Sequence, residues 1–188
     1  MPNPLLTAVP LVLFALLALT FLLVLRRAAR IVAQTREMDG FRRTVGDLTA
    51  RIAASLAGAG ERIDAVRRGQ VAPDTIREAL DSAREAVEGY RAETEALVAP
   101  TGYGPLRARL VEQLDRAARA FEMVDHGCAT LTAVSVGRAR GAEGQTAIKR
   151  GYLNLLHARE AVVEVDAALR SSGPSLSPPR WFRDRSAH

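Results

Sequence analysis

The sequence predicts an all-α protein in which a single N-terminal transmembrane helix is followed by an antiparallel four-helix bundle of coiled-coil character. Three observations support this fold class: the chain opens with an uncharged apolar run, apolar residues recur at heptad spacing through most of the remainder, and aromatic residues make up only 5% of 188 residues. A core poor in aromatic residues must be built from Leu, Val, Ile and Ala, which is the composition of helix bundles. No stretch shows the alternation of apolar and polar residues that marks a strand.

The segment from Pro4 to Leu25 contains no charged residue. At about 1.5 Å per residue, a helix of this length spans the roughly 30 Å hydrocarbon core of a bilayer. Arg26, Arg27 and Arg30 follow directly, and basic residues accumulate on the cytoplasmic side of membrane segments. We therefore expect a cell-membrane protein that crosses the lipid bilayer once. We expect its N-terminus outside, its domain in the cytoplasm, and these three arginines at the membrane interface.

Four regions are expected along the chain. Residues 1–25 form the anchor, residues 26–40 a juxtamembrane helical stalk, residues 41–170 the bundle, and residues 171–188, which contain three prolines, a disordered tail. The net charge of +5 is unevenly distributed, since residues 26–69 are net basic and residues 70–99 net acidic. This pattern indicates helices of complementary sign that pack together rather than one surface for a polyanion.

Apolar residues after the anchor recur at alternating steps of three and four, which predicts four bundle helices. These run from the membrane to about Arg68, from Pro73 to before Pro100, from Leu106 to about Leu131, and from about Gln145 to Arg170. Gly69, the segment APTGYGP (residues 99–105) and the glycine-rich segment GRARGAEG (residues 137–144) are expected to be turns. Short connections between helices of similar length predict up-down-up-down topology.

Two features bear on how the helices pack. In the fourth helix, Leu153, Leu156, Val163 and Val165 are expected to widen the core-facing surface, because a wide apolar face suits a helix with more than one neighbour. Residues 31–38 continue the heptad but have no expected partner within the chain, so a parallel dimer through this stalk is expected. Glycines at positions 40, 46, 58 and 60 are expected weak points of the first helix.

Histidines and the single cysteine give no strong signal for a metal or for catalysis. His126 and His157, with Glu122 and Glu160 one turn away, are expected at similar heights on antiparallel helices. Two histidines and two glutamates so placed are the ligands of a bundle metal site, which is the first of two interpretations. The heptad register instead places both histidines on outward faces, so solvated surface residues are favoured. Cys128 is expected to be a buried apolar residue. We expect no enzyme activity and no cofactor.

Basic residues gather around the two turns that the topology places far from the membrane. The group comprises Arg67, Arg68, Arg138, Arg140, Lys149 and Arg150. Such a group could bind an acidic protein or a phosphate backbone, although solvated helix ends are the more ordinary interpretation. The sequence does not favour nucleic acid as a partner, because no turn in this group supplies the aromatic side chains on which bases stack.

The tail carries one pattern of its own. Trp181 and Phe182 lie between Arg180 and Arg183. An aromatic pair flanked by arginines can insert at an anionic bilayer surface, and the topology returns the fourth helix to the membrane. We therefore expect these four residues to contact the membrane interface. A peptide motif for another protein and an inert tail are the alternatives.

The layout of one N-terminal span followed by a cytoplasmic helical domain resembles that of the LemA family of bacterial membrane proteins, in layout alone. The residues favour a membrane-anchored scaffold or adaptor that acts through protein–protein contacts. The alternatives are a sensor or regulatory subunit, in which the first helix shifts at its glycines, and a nucleic-acid tether that uses Arg138 and Arg140.

Overall fold

The computed structural model describes residues 4–133 and 138–171, with side-chain surroundings from Leu17 onward except at positions 31 and 34. This part of the chain is helical and contains no strand. Its elements are α1 (Pro4–Arg67), a 3₁₀ turn (Pro73–Ile76), α2 (Arg77–Ala96), α3 (Gly104–Thr132) and α4 (Arg138–Ser171). The prediction of four helices without strands is confirmed for the described residues.

Helix boundaries follow the turn residues that the sequence supplies. Gly69 ends α1 with a φ of +69°, a conformation that glycine adopts without the steric penalty of a Cβ atom. The N–H groups of Gly69 and Gln70 donate to carbonyl groups in the last turn of α1. Pro73 opens the 3₁₀ turn, and Gly102, with a φ of +92°, lies in the connection between α2 and α3. The predicted turns at residues 69–73 and 99–105 are confirmed, within a few residues.

The third predicted turn is wrong in its position. The segment GRARGAEG was expected to connect two helices at residues 137–144, but α4 already begins at Arg138. Gly141 and Gly144 are therefore helical, and Gly144 is buried. The glycine at position 144 serves packing against α3 rather than a turn.

Helix α1 begins at Pro4 and continues through Gly40, Gly46, Gly58 and Gly60 to Arg67. In the part of the chain described with its side chains, no helix has a stretch both long and apolar enough to cross a membrane. The predicted anchor starts before that part, and the side chains of residues 1–16 lie outside the described residues. Arg26, Arg27 and Arg30 are exposed.

The chain divides into two compact units, one ending at Phe41 and the other beginning at Arg42. The second unit contains the remainder of α1 together with α2, α3 and α4.

Within the second unit, each helix is antiparallel to the next. Arg51 of α1 pairs with Glu93 of α2, and Arg91 of α2 lies 3.2 Å from Asp115 of α3. Arg109 near the start of α3 pairs with Glu164 near the end of α4, at 2.6 Å. Helix α4 also packs against α1, because a Cβ atom added to Gly60 of α1 would lie 3.9 Å from Leu155 of α4. These contacts show an antiparallel four-helix bundle with up-down-up-down order.

The bundle core follows the predicted heptads closely. Ten apolar side chains at seam positions, drawn from all four helices, are at most 3% exposed: Leu48, Ile52, Ile63, Leu80, Val87, Leu114, Phe121, Val124, Ile148 and Leu155. Cys128 is 5% exposed, as predicted, and burial raises the pKa of its thiol to about 11. A thiol with so high a pKa is almost wholly protonated at neutral pH, and is therefore a poor nucleophile.

Two of the predicted core residues of α4 are on the wrong side of the helix. Leu153 is 43% exposed and Val163 is 51% exposed, whereas Val165 is buried and Leu156 is half-buried. The expectation that Leu153 and Val163 widen the core-facing surface is therefore wrong. Their spacing continues a heptad, but that heptad faces away from the core.

Candidate interaction surface

The end of α1 is fixed by a small group of charged and aromatic side chains. Asp64, whose side chain is 12% exposed, pairs with Arg67 at 2.6 Å and with Arg68 at 2.5 Å. The hydrogen bond from Arg67, together with the positive charge of both arginines, holds the pKa of Asp64 below its ordinary value. The Arg67 guanidinium also lies 5.3 Å from the ring centroid of Tyr152 on α4, a cation–π distance. Both arginines therefore hold the end of α1 through Asp64, and Arg67 also joins α1 to α4.

The other four residues of the predicted basic group lie on α4. Arg138 and Arg140 are exposed in its first turn, where the positive end of the helix dipole disfavours cations. Lys149 and Arg150 are also exposed, but they lie roughly 16 Å further along the helix axis. Arg150 and Tyr152 are two residues apart, so their side chains point about 200° apart around the helix. Binding of an acidic partner by this group stays a prediction.

A groove of about 380 Å³ lies between α3 and α4. Glu122, Met123 and His126 of α3 line it together with Ala147 and Arg150 of α4. The amide of Asn154 approaches Met123 Sδ at 3.5 Å. The groove is open to solvent, and its few polar groups point to no particular ligand.

His126 and His157 are both exposed, as their heptad positions predict. Their expected similarity in height is wrong. Gly127 packs on Gly144, and Ala120 packs on Gly151, so His126 lies level with the residues just after Gly144 and His157 with residues well before Ala120. The misplaced turn caused this error. Among the described residues, no three His, Cys, Asp or Glu side chains come close enough to hold a metal ion.

A second groove, of about 250 Å³, separates α1 from α2. Small side chains line it on both helices, including Ala54, Gly58 and Ala59 of α1 and Ala79 and Ala83 of α2. A Cβ atom on Gly58 would meet nothing within 4 Å. The small side chains therefore leave a space between the two helices that larger apolar side chains at the same positions would fill.

The outward face of α4 carries a second heptad. Its core seam runs through buried residues that include Gly144, Ile148, Gly151 and Leu155. A second line of residues lies two positions before each core residue of α4, and so about 200° away around the helix. Seven of its residues are exposed, and Leu156 is half-buried. We name this line the outer seam: Ala142, Thr146, Lys149, Leu153, Leu156, Glu160, Val163 and Ala167.

The outer seam differs from the corresponding line on α3. Two residues before core positions of α3 lie the exposed residues Glu112, Arg119 and Glu122, which are ordinary side chains for a solvated face. On α4 the same relationship yields Leu153, Leu156 and Val163 at its centre. Strict heptad spacing of exposed aliphatic residues is what a helix presents to another helix. Of the two lines, the one on α4 better fits a protein contact.

Sequence reasoning noticed these aliphatic residues and assigned them to the core. The signal that would have corrected it is the presence of two lines of heptad spacing on one helix, offset by two residues. Two such seams lie on opposite faces and cannot both line one core. Of the predicted membrane-interface residues, Arg180, Trp181, Phe182 and Arg183 lie outside the described residues.

No protein-family model, no curated protein and no solved structure matches this chain.

Proposed function

We propose that this protein is a membrane-anchored helical scaffold, which acts through protein–protein contacts on the outer seam of α4. The outer seam is the observation that carries the proposal. Exposed Leu153 and Val163 lie in register with Lys149, Leu156 and Glu160 over several helical turns. Covering such a face removes apolar area from water, at roughly 25 cal/mol per Å².

The anchor in this proposal rests on the sequence from Pro4 to Leu25, which is uncharged and long enough to span a bilayer. The described end of the segment supports it. Leu22, Leu23 and Val24 are each at least 48% exposed, and consecutive residues of an α-helix point about 100° apart. The hydroxyl of Thr20 donates to the carbonyl of Leu17 at 2.9 Å, so this polar group is satisfied within its own helix.

The orientation follows from the positive-inside rule. Arg26, Arg27 and Arg30 follow the apolar segment directly and are exposed, which favours a cytoplasmic location for the bundle. The predicted contact of the tail with the same bilayer, through Trp181 and Phe182, belongs to this arrangement.

Anchoring is tested by extraction of membranes at alkaline pH. The full chain is expected to remain in the membrane pellet, whereas a chain lacking residues 4–25 is expected in the supernatant. Protease added to intact spheroplasts should leave the bundle uncut. Release of the full chain by alkali would contradict the anchor, and digestion of the bundle from outside would reverse the orientation.

The scaffold role is tested by proximity labelling in native membranes with Leu153→Lys/Val163→Lys. The matched control is Val98→Lys/Met123→Lys, which places two lysines at exposed apolar positions elsewhere; Val98 and Met123 are 89% and 38% exposed. Labelled neighbours should be lost in the first variant and kept in the control, with both equally helical by circular dichroism. Identical neighbours in all three chains would refute a role for the outer seam.

A further inference from the structure

The outer seam is self-complementary when two copies of α4 run antiparallel. A two-fold axis through the point between Asn154 and Leu155 pairs every seam position with another seam position. Leu153 then faces Leu156 of the second copy, and Lys149 faces Glu160. The same rotation pairs Thr146 with Val163 and Ala142 with Ala167. No seam residue is left without a counterpart.

The charges decide between the two possible directions. In the antiparallel arrangement, each of the two Lys149 side chains meets a Glu160, and both pairs flank a central group of four leucines. In a parallel arrangement in register, Lys149 would face Lys149 and Glu160 would face Glu160, and both contacts are repulsive. Lys149 is the only lysine of the chain, and it occupies the one seam position opposite Glu160.

We infer that the outer seam binds a second copy of this chain, as an antiparallel α4–α4 pair with two-fold symmetry. The inference rests on the proposed function and names the partner at the same surface. A two-fold interface requires one patch to be complementary to itself, so that residue i contacts j and j contacts i. The alternating a and d positions of α4 satisfy this condition along its whole length.

This pairing differs from the parallel stalk dimer that residues 31–38 predict. An antiparallel α4 pair directs the bundle segments of the two α1 helices, from Arg42 onward, in opposite directions, since α1 is antiparallel to α4 within each bundle. For two chains anchored in one bilayer, the two-fold axis of such a pair lies along the membrane normal. A parallel stalk dimer directs them in the same direction. Experiments on Lys149 and Glu160 therefore separate the two arrangements.

The first test is a charge exchange in the full chain, purified in detergent, with oligomeric state measured by sedimentation over a range of concentrations. The wild type should dimerise. Lys149→Glu and Glu160→Lys should each raise the dissociation constant at least about tenfold, because each makes both charge pairs repulsive. The double variant Lys149→Glu/Glu160→Lys should recover the wild-type value. An equimolar mixture of the two single variants should form a heterodimer.

The single and double variants are the decisive arm, because only an antiparallel pairing of position 149 with position 160 makes both single variants repulsive and the double variant attractive again. A parallel pairing in register would place like charges opposite each other in the wild type and in all three variants. Dimers in all variants, with unchanged dissociation constants, would assign self-association to the stalk and overturn the inference. A monomeric wild type would also overturn it. Dimers that form only after residues 172–188 are deleted would assign the seam to the tail, which equally overturns it.

Cysteine cross-linking provides a measurement that does not depend on charge. Leu153→Cys mixed with Leu156→Cys should give a disulfide-linked dimer on mild oxidation, in larger yield than either variant alone. Cys128 is buried with a raised pKa, so the wild-type chain serves as the unreactive control. Equal yields from the single variants and the mixture would exclude this register.

These results are distinguishable from failure of the proposed function. If Leu153→Lys/Val163→Lys loses labelled neighbours of other sequence while the wild type sediments as a monomer, the seam binds a different protein. The scaffold proposal would then stand and the self-association would fall.

Discussion

The interface between α3 and α4 and the one between α1 and α2 use the same small residues with opposite results. A Cβ atom on Gly151 would lie 2.6 Å from Val124 Cγ2 and 2.7 Å from the Ala120 carbonyl oxygen, which shows that α3 and α4 approach backbone to backbone. Gly58, which lines the α1–α2 groove, has nothing within 4 Å of the same position. Small residues therefore permit a close approach without enforcing it.

The difference lies in what faces the small residues. On α4, Gly144 and Gly151 lie seven residues apart and meet Gly127 and Ala120 of α3, also seven residues apart, so that small residues meet small residues along one line. The α1–α2 groove instead contains Arg62 and Ser82 among its alanines, and Arg51 joins the helices through Glu93 at the surface. One interface is closed by backbone contact and the other is bridged by side chains.

The largest expected effect comes from placing a methyl group in the closed interface. Gly151→Ala should destabilise the protein by about 1–3 kcal/mol, because the added Cβ atom overlaps Val124 and a backbone carbonyl that cannot move away independently. The measurement is urea unfolding of the full chain in detergent, followed by circular dichroism. A variant as stable as the wild type would show that α3 and α4 can separate at little cost, and the contrast between the interfaces would lose its basis.

The same substitution in the open groove sharpens the comparison. Gly58→Ala should stabilise the protein by about 0.5–1 kcal/mol, since the methyl group meets open space and alanine favours the helix. Both glycines lie inside helices, so the helix-propensity gain is common to the two variants. The difference between their free energies of unfolding therefore isolates the steric cost at Gly151. A loss of stability for Gly58→Ala would mean that the groove closes in solution.

The heptads predicted the fold well because helix number, order and core depend on periodicity that is local in the sequence. Leu48, Leu114, Phe121 and Leu155 are at most 1% exposed where the seams placed them. The start of α4 was missed because glycine has two uses that local sequence does not separate. At Gly69 it ends a helix, whereas at Gly144 it lets two helices touch. Only the seven-residue spacing from Gly144 to Gly151 distinguishes the second use.

The candidate surface was harder to predict for a related reason. Periodicity shows that Leu153 and Val163 belong to a seam, but the core is defined by the partner helices. Once Gly144 and Gly151 face α3, the line that includes Leu153 and Val163 must face outward. The helix packing also separates members of the predicted basic group. Arg67 contacts Tyr152 on one side of α4, whereas Arg150 lines the α3–α4 groove on the opposite side.

The smallest expected effect concerns pH and the end of α1, which is held to α4 by charge rather than by backbone contact. Asp64 has a lowered pKa through Arg67 and Arg68, so its ionised form favours the folded state. That stabilisation is complete above the ordinary carboxyl pKa of about 4 and is lost as the pH falls through the lower value in the folded protein. Exchange of amide hydrogens near residues 60–67 should therefore quicken below about pH 4, once corrected for intrinsic rates.

Asp64→Asn is the matched control for this effect, because it keeps the shape of the side chain and removes the charge. Its exchange near the end of α1 should already be quick at neutral pH and change little on acidification. Exchange at the α3–α4 contact around Gly127 and Gly151 should respond to neither change, since backbone and aliphatic atoms form that contact. The Arg109–Glu164 pair joins the same helices more than three turns away from Gly151. Equal acid sensitivity at both interfaces would show that the bundle opens as a single unit. In that case the difference in how the two interfaces are closed would not extend to their dynamics.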